Sequence, residues 1–320
     1  MLTTAFTDLV GCQVPIQQAG MGGVATPELA AAVADAGGLG MVSMVLQPAD
    51  AVAAGLDALA KQTTGQVGIN FLMPFLDPEA VEAAASRVRV VEFFSADPDA
   101  ALVDRVHEGG ALAAWQVGSS AEARAAVDAG CDFIVAQGTE AGGHVRGKVS
   151  LLPLLDSVLD SVDVPVVAAG GIATARGVAA VLAAGAAGAR LGTRFVATPE
   201  ADAHAEYVDA LLRASAADTV VTEAFSGMWP DAPHRVLRSC VDAGQAFTGD
   251  IVAEMSLGGR RISVPKLSVP SPTRDATGTI AAMALYAGES VEAVREVLPA
   301  GQVVRELAEG AERLLRAASS

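Results

Sequence analysis

The sequence predicts an α/β fold, a TIM (β/α)8 barrel carrying a smaller loop-rich and helical cap, and three observations lead there. Eight short apolar runs fill the first two-thirds of the chain, at 14–18, 39–43, 67–71, 88–93, 112–117, 133–136, 164–168 and 189–191. Ala-rich stretches with legible helix caps separate them, and glycine-rich loops follow several of them. Apolar runs without strict polar alternation are what strands buried on both faces of a parallel sheet require. Eight strand–helix units in about 215 residues match the strand number and size of such a barrel. A doubly wound open sheet would have fewer strands and a GxGxxG turn after the first, and the sequence shows neither.

The helices between the runs have readable ends. Thr26-Pro27-Glu28, Asp77-Pro78-Glu79 and Asp97-Pro98-Asp99 each predict an N-cap, a proline in the first turn and an acid beside it. Gly37, Gly109, Gly130 and Gly185 stand where left-handed C′ residues are expected. The rhythm stops at residue 216. From 217 to 277 the chain holds the turn Trp229-Pro230-Asp231-Ala232-Pro233 and the steps Val264-Pro265, Val269-Pro270 and Ser271-Pro272. That density of breakers predicts a cap or insertion rather than another βα unit. Helical periodicity returns from about Gly278 and again from Gln302 to Leu315. The expected division is therefore a barrel at 1–216, a cap at 217–277, and C-terminal helices at 278–320 packing back on the barrel.

The 320 residues are 52% apolar, enough to bury a sizeable core. Mean hydropathy is +0.41 although aromatics make up only 4%, so the apolar content is mostly Ala, Val and Leu. A net charge of −16 and a pI near 4.6 argue against non-specific binding to nucleic acid or anionic membranes, which select basic surfaces. The longest apolar stretch, 177–189, falls short of the roughly 20 residues a membrane helix needs. Asp8 interrupts the N-terminus before any signal-like run develops, so no secretory signal is expected. Cys12, Cys131 and Cys240 form no CxxC pair and fit a reducing compartment. A cytoplasmic location is the expectation.

In such a barrel the working residues stand just after the strands, at their C-terminal ends. After the first run comes Gln18-Ala19-Gly20-Met21-Gly22-Gly23, whose glycines let the backbone pass close to a flat ligand or simply make a flexible turn. After the third comes Asn70, an amide placed to hydrogen-bond a heterocycle or to form a turn. After the sixth comes Gln137-Gly138-Thr139-Glu140-Ala141-Gly142-Gly143-His144-Val145-Arg146-Gly147. An imidazole on a small-residue loop over the barrel mouth suits proton abstraction, or charge placed beside a developing anion. His107, His204 and His234 read as ordinary surface or packing residues. After the seventh and eighth runs come Ala168-Ala169-Gly170-Gly171-Ile172-Ala173-Thr174 and Leu191-Gly192-Thr193-Arg194-Phe195. Two small-residue loops in this place, each leading into a helix, predict a phosphate site of backbone N–H groups, helix dipole and the Thr193 hydroxyl. The sequence has no GxSxG elbow, Walker loop, HExxH or cluster with metal-ligand spacing, so no metal site is expected. Cys131, amid apolar residues, reads as packing rather than as a nucleophile.

These residues together resemble the nitronate monooxygenase family, formerly 2-nitropropane dioxygenases. The resemblance runs through Pro15-Ile16-Gln17-Gln18-Ala19-Gly20-Met21-Gly22, Gly68-Ile69-Asn70-Phe71, 137–144, 168–172, 191–195 and Leu285-Tyr286-Ala287-Gly288. It implies an FMN-dependent TIM-barrel flavoprotein with a smaller capping domain. By matching motif, His144 corresponds to the catalytic histidine, and Asn70, Gln137 and Gly142 to residues lining the flavin. Gly170, Gly171, Gly192 and Thr193 would hold the FMN phosphate, and Ala19, Gly20 and Met21 would run along the isoalloxazine. Many relatives carry Pro where Gly20 stands, and others carry Lys near Gln116, a cation whose loss bears on reductive chemistry.

The resemblance implies oxidation of alkyl nitronates such as propionate 3-nitronate by FMN and O2, giving a carbonyl compound plus nitrite or nitrate. The site motifs equally suit an NAD(P)H-dependent flavin reductase on the same scaffold, acting on enoyl-thioesters or quinones. A non-catalytic phosphate-binding barrel is the third reading. The expected partners are a small-molecule substrate and O2.

Overall fold

The computed structural model, which describes residues 2–257 and 260–318, places a parallel strand on each of the eight apolar runs. The barrel strands are β1 (Ile16–Gln18), β2 (Gly40–Val42), β3 (Val67–Leu72), β4 (Val90–Phe94), β5 (Leu112–Val117) and β6 (Phe133–Gln137). A two-residue strand, β7 (Gly143–His144), lies in the next loop, and β8 (Val166–Ala169) and β9 (Gly188–Leu191) complete the set. The eight pair in the order β1-β9-β8-β6-β5-β4-β3-β2. A bridge from Gln17 to Leu39 then closes the ring. There the Gln18 N–H donates to the Leu39 carbonyl at 3.0 Å and the Leu39 N–H to that of Ile16 at 2.9 Å. Closure removes the open sheet edges that would otherwise need covering.

A short N-terminal helix, α1 (Ala5–Val10), brings Phe6 edge-to-face onto Phe133, ring centroids 5.4 Å apart, in an apolar cluster with Leu39, Met41, Val90 and Val167. Around the ring run α2 (Pro27–Asp35), α3 (Ala49–Leu59), α4 (Pro78–Ala85), α5 (Ala100–Glu108), α6 (Ser120–Asp128), α7 (Leu151–Leu159) and α8 (Ala175–Ala183). Their buried faces and the outward strand side chains make the main core. Thr26 and Asp77 cap α2 and α4 as expected. The third cap differs. Asp99, not Asp97, starts α5 by accepting the Ala101 N–H at 2.9 Å, while Asp97 is drawn away to Arg146 at 2.5 Å. Likewise Gly110 rather than Gly109 takes the left-handed conformation after α5.

Beyond the barrel lie α9 (Thr193–Val196), a single turn, and α10 (Ala205–Arg213), capped by His204 through Nδ1. The strands β10 (Thr219–Thr222) and β11 (His234–Leu237) form an antiparallel pair, and β11 also pairs with β7. After α11 (Arg238–Ala246), β12 (Ile251–Leu257) pairs antiparallel with β13 (Arg260–Pro265) and with β14 (Thr277–Gly278). The expected helix from Gly278 is two 3₁₀ turns instead, Ile280–Ala282 and Glu289–Ala293. The reason is burial: Ala282, Met283, Ala284, Leu285 and Ala287 are all covered, so no solvent face remains for an amphipathic helix. The last helix, α12 (Ala300–Ala318), packs on α8 and α2. Among the described residues no helix is long and apolar enough to cross a membrane.

Candidate active site

At the C-terminal ends of the barrel strands lies a cavity of about 220 Å³, and each residue that the sequence assigned to a catalytic or cofactor site lines it. Ala19, Gly20 and Met21 come from the loop after β1, and Asn70 from β3. Gln137 comes from β6, Gly142 from the loop that follows it and His144 from β7, Gly170 and Gly171 from the loop after β8, and Gly192 and Thr193 from the start of α9, just past β9. A Cβ on Gly20 would stand 2.6 Å from the Asn70 Cβ, so the first loop crosses β3 at a distance only glycine permits. Gly20 lets this loop close down on Asn70.

The loop after β8 makes a backbone cradle. Gly170 and Gly171 have φ of +110° and +66°, a glycine nest of left-handed backbone on the cavity wall, in a conformation that a side chain would strain. The expected helix-dipole contribution is weaker than the sequence implied. α9 has four residues, and the N-terminus of α8 is already capped by Thr174, whose hydroxyl accepts the Gly177 N–H at 3.1 Å. Thr193 accepts the Gly288 N–H on its Oγ1 at 3.0 Å, which leaves its hydroxyl proton to donate elsewhere.

His144 is held from several sides. Its strand pairs with β11, setting His144 opposite His234 and Gly143 opposite Arg235. Arg235 in turn donates to the Thr139 carbonyl at 2.9 Å, pinning the loop after β6. The indole of Trp229 stacks on the imidazole, centroids 4.0 Å apart and planes 18° from parallel. The rings of His234 and Tyr286 lie at 5.2 and 5.6 Å. His234 is fully committed: its Nε2 accepts the Phe225 N–H at 3.3 Å, so its Nδ1 is the nitrogen that donates to the Ala232 carbonyl at 2.9 Å. His144 Nε2, by contrast, is shielded and has no partner. Burial, and then the nearby His234, push the His144 pKa down to about 3, so the ring is neutral at physiological pH. Gln137 donates through Nε2 to the His144 carbonyl at 2.9 Å, and its own Oε1 is likewise unpaired. Two orphaned polar atoms belong to cavity-lining residues, and the glycine nest packs against the loop after β6 that carries them, an arrangement that suits a ligand joining a polar heterocycle to a phosphate.

Glu140, from the same loop, turns away to accept the Leu151 N–H at the start of α7. Cys131 is buried and its thiol is pushed up to about 12 by burial and by the adjacent Asp132, which agrees with packing rather than nucleophilic use. Trp229, Tyr286 and Arg190 were not singled out from the sequence, and His234 was read there as a bystander. Trp229 stands in the Pro-rich stretch after residue 216, where no strand–helix period marks a side chain as cavity-facing. Arg190 carried a usable signal, being a charge inside an apolar run.

The chain belongs to the nitronate monooxygenase family, which it matches over residues 3–86 and 77–310. Members of this family are flavoprotein oxidoreductases. It is 37% identical over 239 residues to a Rhodococcus jostii protein named (3aS,4S,5R,7aS)-5-hydroxy-7a-methyl-1-oxo-octahydro-1H-indene-4-carboxyl-CoA dehydrogenase. That match takes in 74% of this chain and 66% of the relative, just under two-thirds of its length. A nitroalkane oxidase from Streptomyces ansochromogenes superposes with a TM-score of 0.80 at 34% identity, covering 99% of this chain and all of that one. FabK from Thermotoga maritima superposes at 0.83 with 29% identity, covering 100% and 99% of the two chains.

Proposed function

We propose that the chain is an FMN-dependent enzyme that oxidises alkyl nitronates with O2 to a carbonyl compound plus nitrite or nitrate. The observation that carries this reading is a neutral His144, its Nε2 left without a partner, on the wall of the cavity that also holds the glycine nest. The nest and the Thr193 hydroxyl would take the phosphate, and Asn70, Gln137 and Ala19–Met21 would meet the ring system. Bound FMN supplies the two-electron chemistry and the reaction with O2. A neutral imidazole serves the substrate in two ways. As an Nε2–H donor it stabilises the oxygen of a bound nitronate, and as an Nε2 base it takes the α-proton of a neutral nitroalkane. Trp229 and Tyr286 keep water from that nitrogen, and Gln137 fixes the backbone that carries it.

The walls narrow the substrate. Among the described lining residues Arg190 alone is charged, and it is paired with Glu92. A substrate carboxylate would find no free cation, so simple alkyl nitronates suit the pocket better than propionate 3-nitronate.

One observation favours a second reading, redox chemistry on an acyl thioester. Leu46 and Met228 line the cavity mouth on left-handed backbone, with φ of +61° and +79°, and stay about half exposed, extending an apolar surface outward. An acyl chain would use that surface, and the Rhodococcus relative bears the name of a CoA-thioester dehydrogenase. Oxygen uptake by the purified yellow protein with alkyl nitronates tests the first reading, and no uptake would remove it. Rapid anaerobic bleaching by NADH or NADPH, followed by turnover of an enoyl-thioester, would establish the second in its place.

A further inference from the structure

Inside the barrel, below the cavity, Glu92 on β4 is completely buried. Its Oε1 accepts from Asn70 Nδ2 at 2.7 Å and from Arg190 Nη1, and its Oε2 accepts from Gln17 Nε2 at 2.9 Å. Four polar side chains from β1, β3, β4 and β9 thus meet inside the barrel, all of them buried. Such a cluster is a poor way to stabilise a fold, because apolar packing of the same volume usually does as well or better. Two of its members, Asn70 and Arg190, also line the cavity.

The chemistry of the carboxylate dictates how those two are presented. A carboxylate only accepts, so it fixes the Asn70 amide with its nitrogen toward Glu92, and the Oδ1 acceptor is the end left for a ligand. The backbone of Gly20, close over the Asn70 Cβ, leaves the side chain little room to turn. Arg190 has spent one donor on Glu92 and retains the others, while the pairing cancels most of its charge.

We propose that Glu92 is a positioning residue of the flavin site. It holds Asn70 as a hydrogen-bond acceptor and offsets the charge of Arg190, and in doing so it sets the preference of the cavity for neutral oxidised flavin over anionic reduced flavin. This rests on the flavin reading above. With Glu92 neutralised, Arg190 would stand as an uncompensated cation in a site of low dielectric, and reduced flavin would be held more tightly than oxidised flavin.

The test compares wild type, E92Q, E92D and E92Q/R190M, each loaded with FMN, by dye-equilibrated redox titration and by the Kd of oxidised FMN. E92Q is expected to raise the reduced-to-oxidised affinity ratio by about tenfold, an upward shift of about 30 mV in midpoint potential for a two-electron couple. E92Q/R190M, with both charges gone, returns the potential to the wild-type value. E92D keeps the charge and is the variant surest to fold. Its shorter reach releases Asn70, so oxidised FMN binds about tenfold more weakly while the potential changes little. An unaltered potential in flavin-loaded E92Q, an equal rise in E92Q and E92Q/R190M, or wild-type FMN affinity in E92D each overturns the proposal. Failure of the wild-type protein to bind FMN would instead overturn the flavin reading itself.

Discussion

Replacing Trp229 by leucine tests whether the cap segment governs the chemistry of the imidazole. Trp229 is nearly buried, stacks on His144 at 4.0 Å and meets Phe75 edge-on at 5.5 Å. Truncating a buried tryptophan to alanine typically costs about 3–5 kcal/mol, so leucine, which retains part of the volume, should cost about 2 kcal/mol. The larger effect is on protonation. Burial is the main cause that holds His144 near 3, and the indole covers one face of the ring. Opening that face to water favours the charged form and raises the pKa toward 6.5. Each unit of rise corresponds to about 1.4 kcal/mol. A base must be unprotonated to act, so wild-type kcat/KM for a neutral nitroalkane should be flat on the acid side down to pH 5. In the leucine variant the acid limb should move into the range of pH 5–6. A variant that keeps FMN and fold while its profile superimposes on that of the wild type would refute the argument.

Three further outcomes follow from the same geometry. Gly171→Asp places a strained side chain and a negative charge in the anion nest; the barrel should fold, as read by circular dichroism, with FMN lost on gel filtration. Gly20→Ala drives a Cβ to 2.6 Å from that of Asn70, and overpacking of this kind costs about 1–3 kcal/mol; chemical denaturation should report the loss together with weaker FMN binding. Stability should also fall with acid. His144 and His234 both have folded pKa values below 6.5, so the unfolded chain binds more protons as pH drops. Their contribution is complete above pH 6.5 and is lost as pH falls toward the folded values, so Tm should be lower at pH 5 than at pH 7.5.

The barrel was legible because strands buried on both faces leave a mark that composition cannot hide, and each of the eight apolar runs became a strand. The cavity residues were legible because they follow those strands, and topology gathers the residues that follow the strands at one end. Local competition explains the small errors. Asp97 and Asp99 could each cap α5, and Arg146, distant in sequence, took the first. The surroundings of His144 were harder to see. Trp229 and His234 come from a stretch without βα rhythm, and they reach His144 only through the β7–β11 pairing, nearly a hundred residues apart in sequence. Glu92 and Arg190 were visible as charges within apolar runs, a pattern whose cost in a two-face-buried strand should itself point to a role.

The most direct measurement of the central claim compares His144→Ala with wild type on a neutral nitroalkane and on its preformed nitronate. The variant should keep its FMN, because the nest at Gly170 and Gly171 is untouched. A positioned acid–base group is worth about 10²–10⁴-fold, so turnover of the neutral nitroalkane should fall by that amount. The nitronate has already lost its proton and should suffer a clearly smaller loss. Equal losses on the two substrates would contradict the assignment of His144 as the base, and no loss on either would remove it from the mechanism.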